Sequence, residues 1–349
     1  MLEGVGNDET HPASCFFETP DNPIPRGAES GFFTARDGMR IRYGLFPTHA
    51  ASCLGTVVIF PGRLSFMEKY FEVIETFSAS GFDVAMFDPR GQGASQRGLK
   101  HQQNHFVVSF DDYVSDLRMF MDCHVMARLR GPFFMFGHSI GGLVALLAEP
   151  ALRPDLKGIV CVTPAVSPTT TSLSIQRIVM EFLCSIGLGS LRAGIGGERP
   201  TDFEDNNFTH NRDRFERTKM LGKRFPDLAV GAPTIGYFKS ALQAIRDVND
   251  SRFVRDFATP AQFILAGSDK ILPTSEMIAY ADKVQGAEII TVEGSKHDLP
   301  QENDIYRDQM FAAMTDFLAR HSSATRRKDE PAPRGMPMAL PIDEAGSNP

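Results

Sequence analysis

Phe133-Phe134-Met135-Phe136-Gly137-His138-Ser139-Ile140-Gly141 is the stretch on which the fold turns. Four apolar residues read as a short buried strand, and Ile140–Ala148 reads as a helix. Between them Gly137-His138-Ser139-Ile140-Gly141 matches G-x-S-x-G, the turn that exposes a serine between a strand and a helix. Such a turn needs small neighbours, because the serine backbone is strained and the strand and helix approach closely. The pattern alone arises by chance in roughly one such chain in six, so its strand-to-helix setting carries the weight.

The same rhythm extends outward from this turn. Thr56–Phe60, Asp83–Phe87, Gly158–Val162, Gln262–Ala266 and Glu288–Val292 read as strands. Tyr70–Ser80, Phe110–Arg128, Thr274–Lys283 and Ile305–Arg320 read as helices. Strands alternating with helices imply parallel pairing with right-handed crossovers. Phe32–Ala35 and Arg40–Phe46, joined across Asp37-Gly38, predict a hairpin. The fold class is therefore α/β, with a mostly parallel central sheet flanked by helices.

Between Ser167 and about Arg252 the alternation breaks. Ile175, Ile178, Val179, Phe182, Leu183 and Ile186 recur at helical spacing, followed by glycines and a charge-mixed stretch. This predicts a helical cap inserted over the carboxyl edge of the sheet, where open α/β sheets bind ligands. The expected organisation is an N-terminal arm (1–30), a core (31–167 and 252–322), the cap (168–251) and a disordered tail (323–349).

Composition bounds the partners. A net charge of −7 argues against nucleic acid, whose phosphates attract basic faces. Five scattered cysteines without metal spacing suit reduced thiols in a cytoplasm. No basic-then-apolar leader is present, nor a run of about 20 apolar residues, so the expectation is a cytoplasmic protein. Peripheral contact with a membrane surface stays compatible with that, and oligomeric state is left open.

A serine hydroxyl is a weak nucleophile until a base takes its proton. Nine histidines compete for that role. His11 lies in the arm, His321 near the tail, His138 in the turn itself and His210 in the predicted cap, while His49, His101, His105 and His124 precede the serine. His297 alone follows the last predicted strand, just before the final helix. The acid that orients it belongs after the preceding strand, where Asp269 ends Phe263-Ile264-Leu265-Ala266-Gly267-Ser268-Asp269. Two backbone N–H groups must also face the developing oxyanion. Ile140, after the nucleophile, supplies one. Pro61-Gly62-Arg63-Leu64 follows Thr56–Phe60 and supplies the other, from Arg63 or, failing that, Leu64. The Arg63 side chain reads as a structural arginine or as a contact for an anionic substrate. No metal or cofactor is required.

With these residues placed, the chain from about Phe32 to Leu318 resembles the bacterial lysophospholipase family related to monoglyceride lipases. Pro61-Gly62-Arg63 resembles that family's oxyanion loop, and Asp88-Pro89-Arg90-Gly91-Gln92-Gly93-Ala94-Ser95 its D-x-R-G-x-G-x-S loop, with Pro89 where a histidine is common. Gly231-Ala232-Pro233-Thr234 resembles its G-[GA]-P-T segment, which favours the lysophospholipase branch. The resemblance implies an α/β-hydrolase fold, a triad of Ser139, Asp269 and His297, and hydrolysis of one acyl ester of a lysophospholipid. A monoacylglycerol lipase, a short-chain carboxylesterase or a non-catalytic ligand-binding protein on the same fold are the alternatives. Gly62, Leu64 and His138 would meet the substrate, with Ile175, Val179 and Phe182 lining an acyl slot unless that stripe packs on the core. Arg212, Arg214, Arg217, Lys219, Lys223 and Arg224 form a cationic cluster, either a solvated face or a head-group contact.

Overall fold

Val-, Ile- and Phe-rich runs become strands and amphipathic stretches become the helices that cover them. The computed structural model describes residues 15–99, 104–167, 173–194 and 202–323, the side chains of 173–177 excepted. A hairpin of β1 (Glu29–Thr34) and β2 (Arg40–Phe46) opens the chain, followed by β3 (Gly55–Phe60), α1 (Phe71–Ala79) and β4 (Phe82–Phe87). Then come α2 (Phe110–Phe120), α3 (Met126–Arg128), β5 (Phe133–His138), α4 (Ile140–Leu152) and β6 (Leu156–Val162). The inserted stretch holds α5 (Leu173–Ser185), α6 (Arg212–Arg224), α7 (Ile235–Val248) and α8 (Ser251–Asp256). The alternation resumes with β7 (Ala261–Ala266), α9 (Thr274–Ala281), β8 (Glu288–Val292) and α10 (Asp304–Ser323).

The eight strands form one sheet in the order β1-β2-β4-β3-β5-β6-β7-β8. The hairpin and its junction with β4 are antiparallel, and every other pairing is parallel. Every residue of β3, β4 and β7 is buried, as strands covered on both faces must be. The two faces feed separate cores: Val58 and Phe60 pack with α2, α4 and α7, while Val57 and Ile59 pack with α1 and α10.

Two departures from expectation stand out. The stretch expected as one helix over Phe110–Arg128 passes through a π-helical turn at Met121–Val125. There Met121 and Val125 both turn inward, and the His124 ring packs 4.3 Å from that of Tyr43. The stretch read as an extended N-terminal arm is docked on the core from Cys15 onward. Phe16 packs against Phe46 and Phe71, Phe17 N–H donates to Glu68 Oε1, and Asn22 Nδ2 donates to the Glu68 carbonyl. Residues 1–14 and 324–349, and 168–172 and 195–201 of the predicted cap, lie outside the described residues.

The inserted stretch rests on loops at the carboxyl ends of the strands. Arg63 Nη1 donates to the Gly231 carbonyl at 3.3 Å, and Asp298 N–H donates to the Phe208 carbonyl at 2.8 Å. Two members of the cationic cluster, Arg214 and Arg217, anchor the inserted stretch to the core. Arg214, largely buried, pairs with Glu72 and Asp304, Arg217 pairs with Glu72, and Arg212 pairs with Glu204. Among the described residues no helix is long and apolar enough to cross a membrane.

Candidate active site

Ser139 stands between the last residue of β5 and the first of α4, with φ 55° and ψ −116°, a backbone that residues with a Cβ rarely adopt. Its neighbours show why they are glycines. A Cβ on Gly141 would lie 2.0 Å from the Phe60 carbonyl oxygen, and one on Gly137 2.4 Å from that of Gly141. The tight passage of α4 across β3 and β5 excludes any side chain there, and the strain tips the Ser139 hydroxyl outward.

His297 follows β8 and is nearly buried. Its Nε2 lies 3.0 Å from Ser139 Oγ, and its Nδ1 lies 2.6 Å from Asp269 Oδ2. The carboxylate can only accept, so Nδ1 carries the proton and Nε2 is left as the base. Asp269 is fixed in turn, because its Oδ1 accepts the N–H groups of Ile271 (2.7 Å) and Leu272 (3.0 Å). The structure thus brings Ser139, His297 and Asp269, expected as a triad, into one hydrogen-bonded row. Asp298 points away from that row, its Oδ2 2.5 Å from Lys69 Nζ.

The loop after β3 lies against the nucleophile. A Cβ on Gly62 would come within 3.0 Å of His138 Nδ1 and 3.4 Å of Ser139 Cβ. Leu64, at φ 66°, donates its N–H to Gln92 Oε1 at 2.9 Å, so the fallback oxyanion donor is engaged. Gln92 belongs to the Asp88–Ser95 loop, which thereby shapes the oxyanion loop. Ile140 is the first residue of α4, where an N–H has no intrahelical acceptor. Arg63 and Ile140 remain the candidate donors. The Arg63 guanidinium itself is held on the Gly231 carbonyl, as a structural arginine would be.

Three of the residues expected from sequence to meet substrate, His138, Val179 and Phe182, differ in exposure. His138 is 3% exposed and sits behind His297, its Nδ1 3.3 Å from the Tyr70 hydroxyl and its Nε2 3.3 Å from the His297 carbonyl oxygen. Burial pushes its imidazole down to about 4, the nearby positive groups adding to the fall and Asp298 opposing it, so it is neutral and donates Nε2–H to that carbonyl. There it braces the His297 backbone. Val179 and Phe182 are 46% and 61% exposed, with Ile178 and Ile186 beside them, and Met180 is the inward residue. Val179 and Phe182 both stand at the surface among the described residues, since helical spacing marks a face without saying what covers it. Ile175 is in α5, and its side chain lies outside the described residues.

Several groups around His297 carried no sequence signal. Thr163 Oγ1 donates to its carbonyl at 3.0 Å, and the Phe208 ring stands 6.3 Å from the imidazole. Glu302, fully buried, accepts from Lys296 N–H, Asn303 N–H, and both the N–H and Nδ1 of His210. It ties the histidine loop to the inserted stretch. Among the described residues no cluster of three His, Cys, Asp or Glu side chains is placed to hold a metal ion.

Residues 51–304 match the family described as serine aminopeptidase, S33. The chain belongs to this family. The hydrolase is 27% identical to Lysophospholipase L2 of Escherichia coli over 326 residues, 89% of this chain and 93% of that one. It is 24% identical to Phospholipase YtpA of Bacillus subtilis over 262 residues, 73% of this chain and 93% of that one. A soluble variant of monoglyceride lipase from Saccharomyces cerevisiae, solved with a substrate analog, shares its fold at a TM-score of 0.69 and 18% identity, covering 88% of the hydrolase and 99% of that chain. These likenesses agree with the α/β-hydrolase fold and the family read from the Pro61–Arg63 loop and the Gly231–Thr234 segment.

Proposed function

We propose that this hydrolase cleaves the single acyl ester of a lysophospholipid, with Ser139, His297 and Asp269 as its catalytic triad. The observation that carries the chemistry is the row from Ser139 Oγ through His297 to Asp269, with links of 3.0 and 2.6 Å. The substrate class is supported by similarity to Lysophospholipase L2 along nearly the whole of both chains.

His297 Nε2 takes the Ser139 proton as Oγ attacks the ester carbonyl carbon. The carbonyl oxygen becomes an oxyanion facing the N–H groups of Ile140 and Arg63. The imidazolium, stabilised by Asp269, returns the proton to the departing glycerol oxygen and leaves an acyl-serine. Water deprotonated by His297 attacks that acyl carbon, and the fatty acid leaves as Ser139 regains its proton.

The exposed apolar face of Ile178, Val179, Phe182 and Ile186 supports peripheral contact with the surface that carries such a substrate. The deciding experiment compares fatty-acid release from lysophosphatidylcholine and from monoacylglycerol, in wild type and Ser139→Ala. Serine-dependent release from the phospholipid, at least equal to that from the neutral ester, is the expected result. Preference for the neutral ester would move the protein to the lipase alternative.

A further inference from the structure

Two buried opposite charges lie beside the catalytic histidine and take no part in the steps above. Asp298 directly follows His297, and its Oδ2 lies 2.5 Å from Lys69 Nζ, with side chains 5% and 1% exposed. Lys69 sits on the turn Met67–Tyr70, four residues after Ser65, which closes the oxyanion loop. The contact spans 229 positions of sequence and joins the two halves of the machinery. Both ends are fixed further. The Lys69 carbonyl accepts from Gln301 Nε2 at 3.0 Å, Lys69 Nζ lies 3.4 Å from Ser65 Oγ, and Asp298 N–H is bound to the Phe208 carbonyl. A buried ion pair contributes little net stability over apolar side chains of the same volume. What it does fix is distance, since a short charge-assisted bond tolerates little displacement.

We infer that Lys69 and Asp298 are positioning residues, whose ion pair sets the place of His297 relative to the oxyanion loop. The inference rests on the ester hydrolysis proposed above. In this protein the loop that carries the base and the loop that carries an oxyanion donor come from opposite ends of the chain. β3 and β8 are held in one sheet with β5, β6 and β7 between them. The loops that follow them run beyond these ladders, and the Lys69–Asp298 contact ties those loops directly.

The surroundings give the pair an electrostatic signature as well. His138 Nε2 lies 3.9 Å from Asp298 Oδ1, and Arg214, Thr209, Thr218 and Gln301 line the small cavity beside the pair. Tyr70 and Ser65 are its neutral polar neighbours on the oxyanion side. With His138 neutral, the charged groups facing the pair among the described residues include His297 once protonated and Arg214, itself paired with Glu72 and Asp304. Removing one partner therefore changes the charge next to His297 with a known sign. Asp298→Asn leaves the Lys69 cation, disfavours the imidazolium and moves the acid limb of kcat/KM to lower pH. Lys69→Met leaves the Asp298 anion and moves that limb to higher pH.

The test measures kcat, KM and pH profiles on p-nitrophenyl butyrate, with active sites counted by fluorophosphonate titration of Ser139. Both single variants are expected to lose about tenfold to 10²-fold in kcat per titrated site, the upper figure being the cost of a misplacement near 1 Å. KM stays within about threefold, the limbs shift in opposite directions, and Lys69→Arg recovers most of the loss. Each single variant strands a buried charge. If either fails to fold, the double variant Lys69→Met/Asp298→Leu, which strands none, carries the same kcat test. Folded variants with wild-type kcat per titrated site would overturn the inference. A wild type that titrates and turns over the p-nitrophenyl ester but releases no fatty acid from lysophospholipid would overturn the substrate reading alone.

Discussion

At the scale of single residues the site is over-determined around Ser139 and dispersed everywhere else. Ser139→Ala removes the nucleophile and no packing contact beyond one oxygen. Ester turnover is expected to fall by roughly four to six orders of magnitude with thermal stability preserved, read by fatty-acid release and a thermal melt. Gly141→Ala is the opposite case. Its Cβ would sit 2.0 Å from the Phe60 carbonyl, on the strand that leads into the oxyanion loop. A loss of about 1–3 kcal/mol in a urea titration is expected, together with lost activity, because α4 must back away from β3. Asp269→Asn keeps the shape of the triad but lets the amide donate toward Nδ1, favouring the wrong imidazole tautomer. A fall of about 10⁴-fold in kcat at neutral pH is expected.

At the scale of elements, two carboxylates of the core are prominent among the groups that hold the inserted stretch. The first is Glu72 on α1, which receives Arg214 and Arg217 from α6. Partial burial would raise the Glu72 carboxyl, but the hydrogen bonds from Arg214 and Arg217 and the charge of Arg307 outweigh it and hold it at about 2. A carboxyl depressed in the folded state stabilises fully above its unfolded value, 4.5, and that contribution is lost as pH falls towards 2. Glu72→Gln should therefore cost stability at neutral pH and flatten the dependence of the melting temperature on pH across that acid window. The second is Glu302. Glu302→Ala strands the donors of Lys296 and His210, so the loop bearing His297 should loosen. The expected result is slower fluorophosphonate labelling of Ser139 with native far-UV circular dichroism. Apolar spacing announced α5 as a helix with one greasy side, yet it said nothing of which side faced the core. The exposed Phe182 and Val179 are the outcome.

At the scale of the whole molecule, the apolar face of α5 lies on the inserted stretch, apart from the packed sheet. Phe182→Asp should reduce hydrolysis of lysophospholipid presented on anionic vesicles and leave turnover of a monomeric butyrate ester unchanged, measured side by side. The sequence by itself determined a mostly parallel sheet flanked by helices and the succession of strands and helices along the chain. The order of the strands in the sheet came from the structure. Alternating strand and helix patterns leave few ways to bury apolar faces, and G-x-S-x-G at such a junction admits one tight turn. It also determined Ser139, His297 and Asp269 as candidates, because this fold places its reactive groups at strand ends and few residues of the right type stand there. Only the tertiary structure decided that His138 braces the histidine, that Leu64 donates to Gln92, and that Lys69 meets Asp298 across 229 positions. Local patterns record which neighbours along the chain share a face. Contacts between loops from opposite ends of the chain leave no periodic trace, since they exist only once the sheet has brought those loops together.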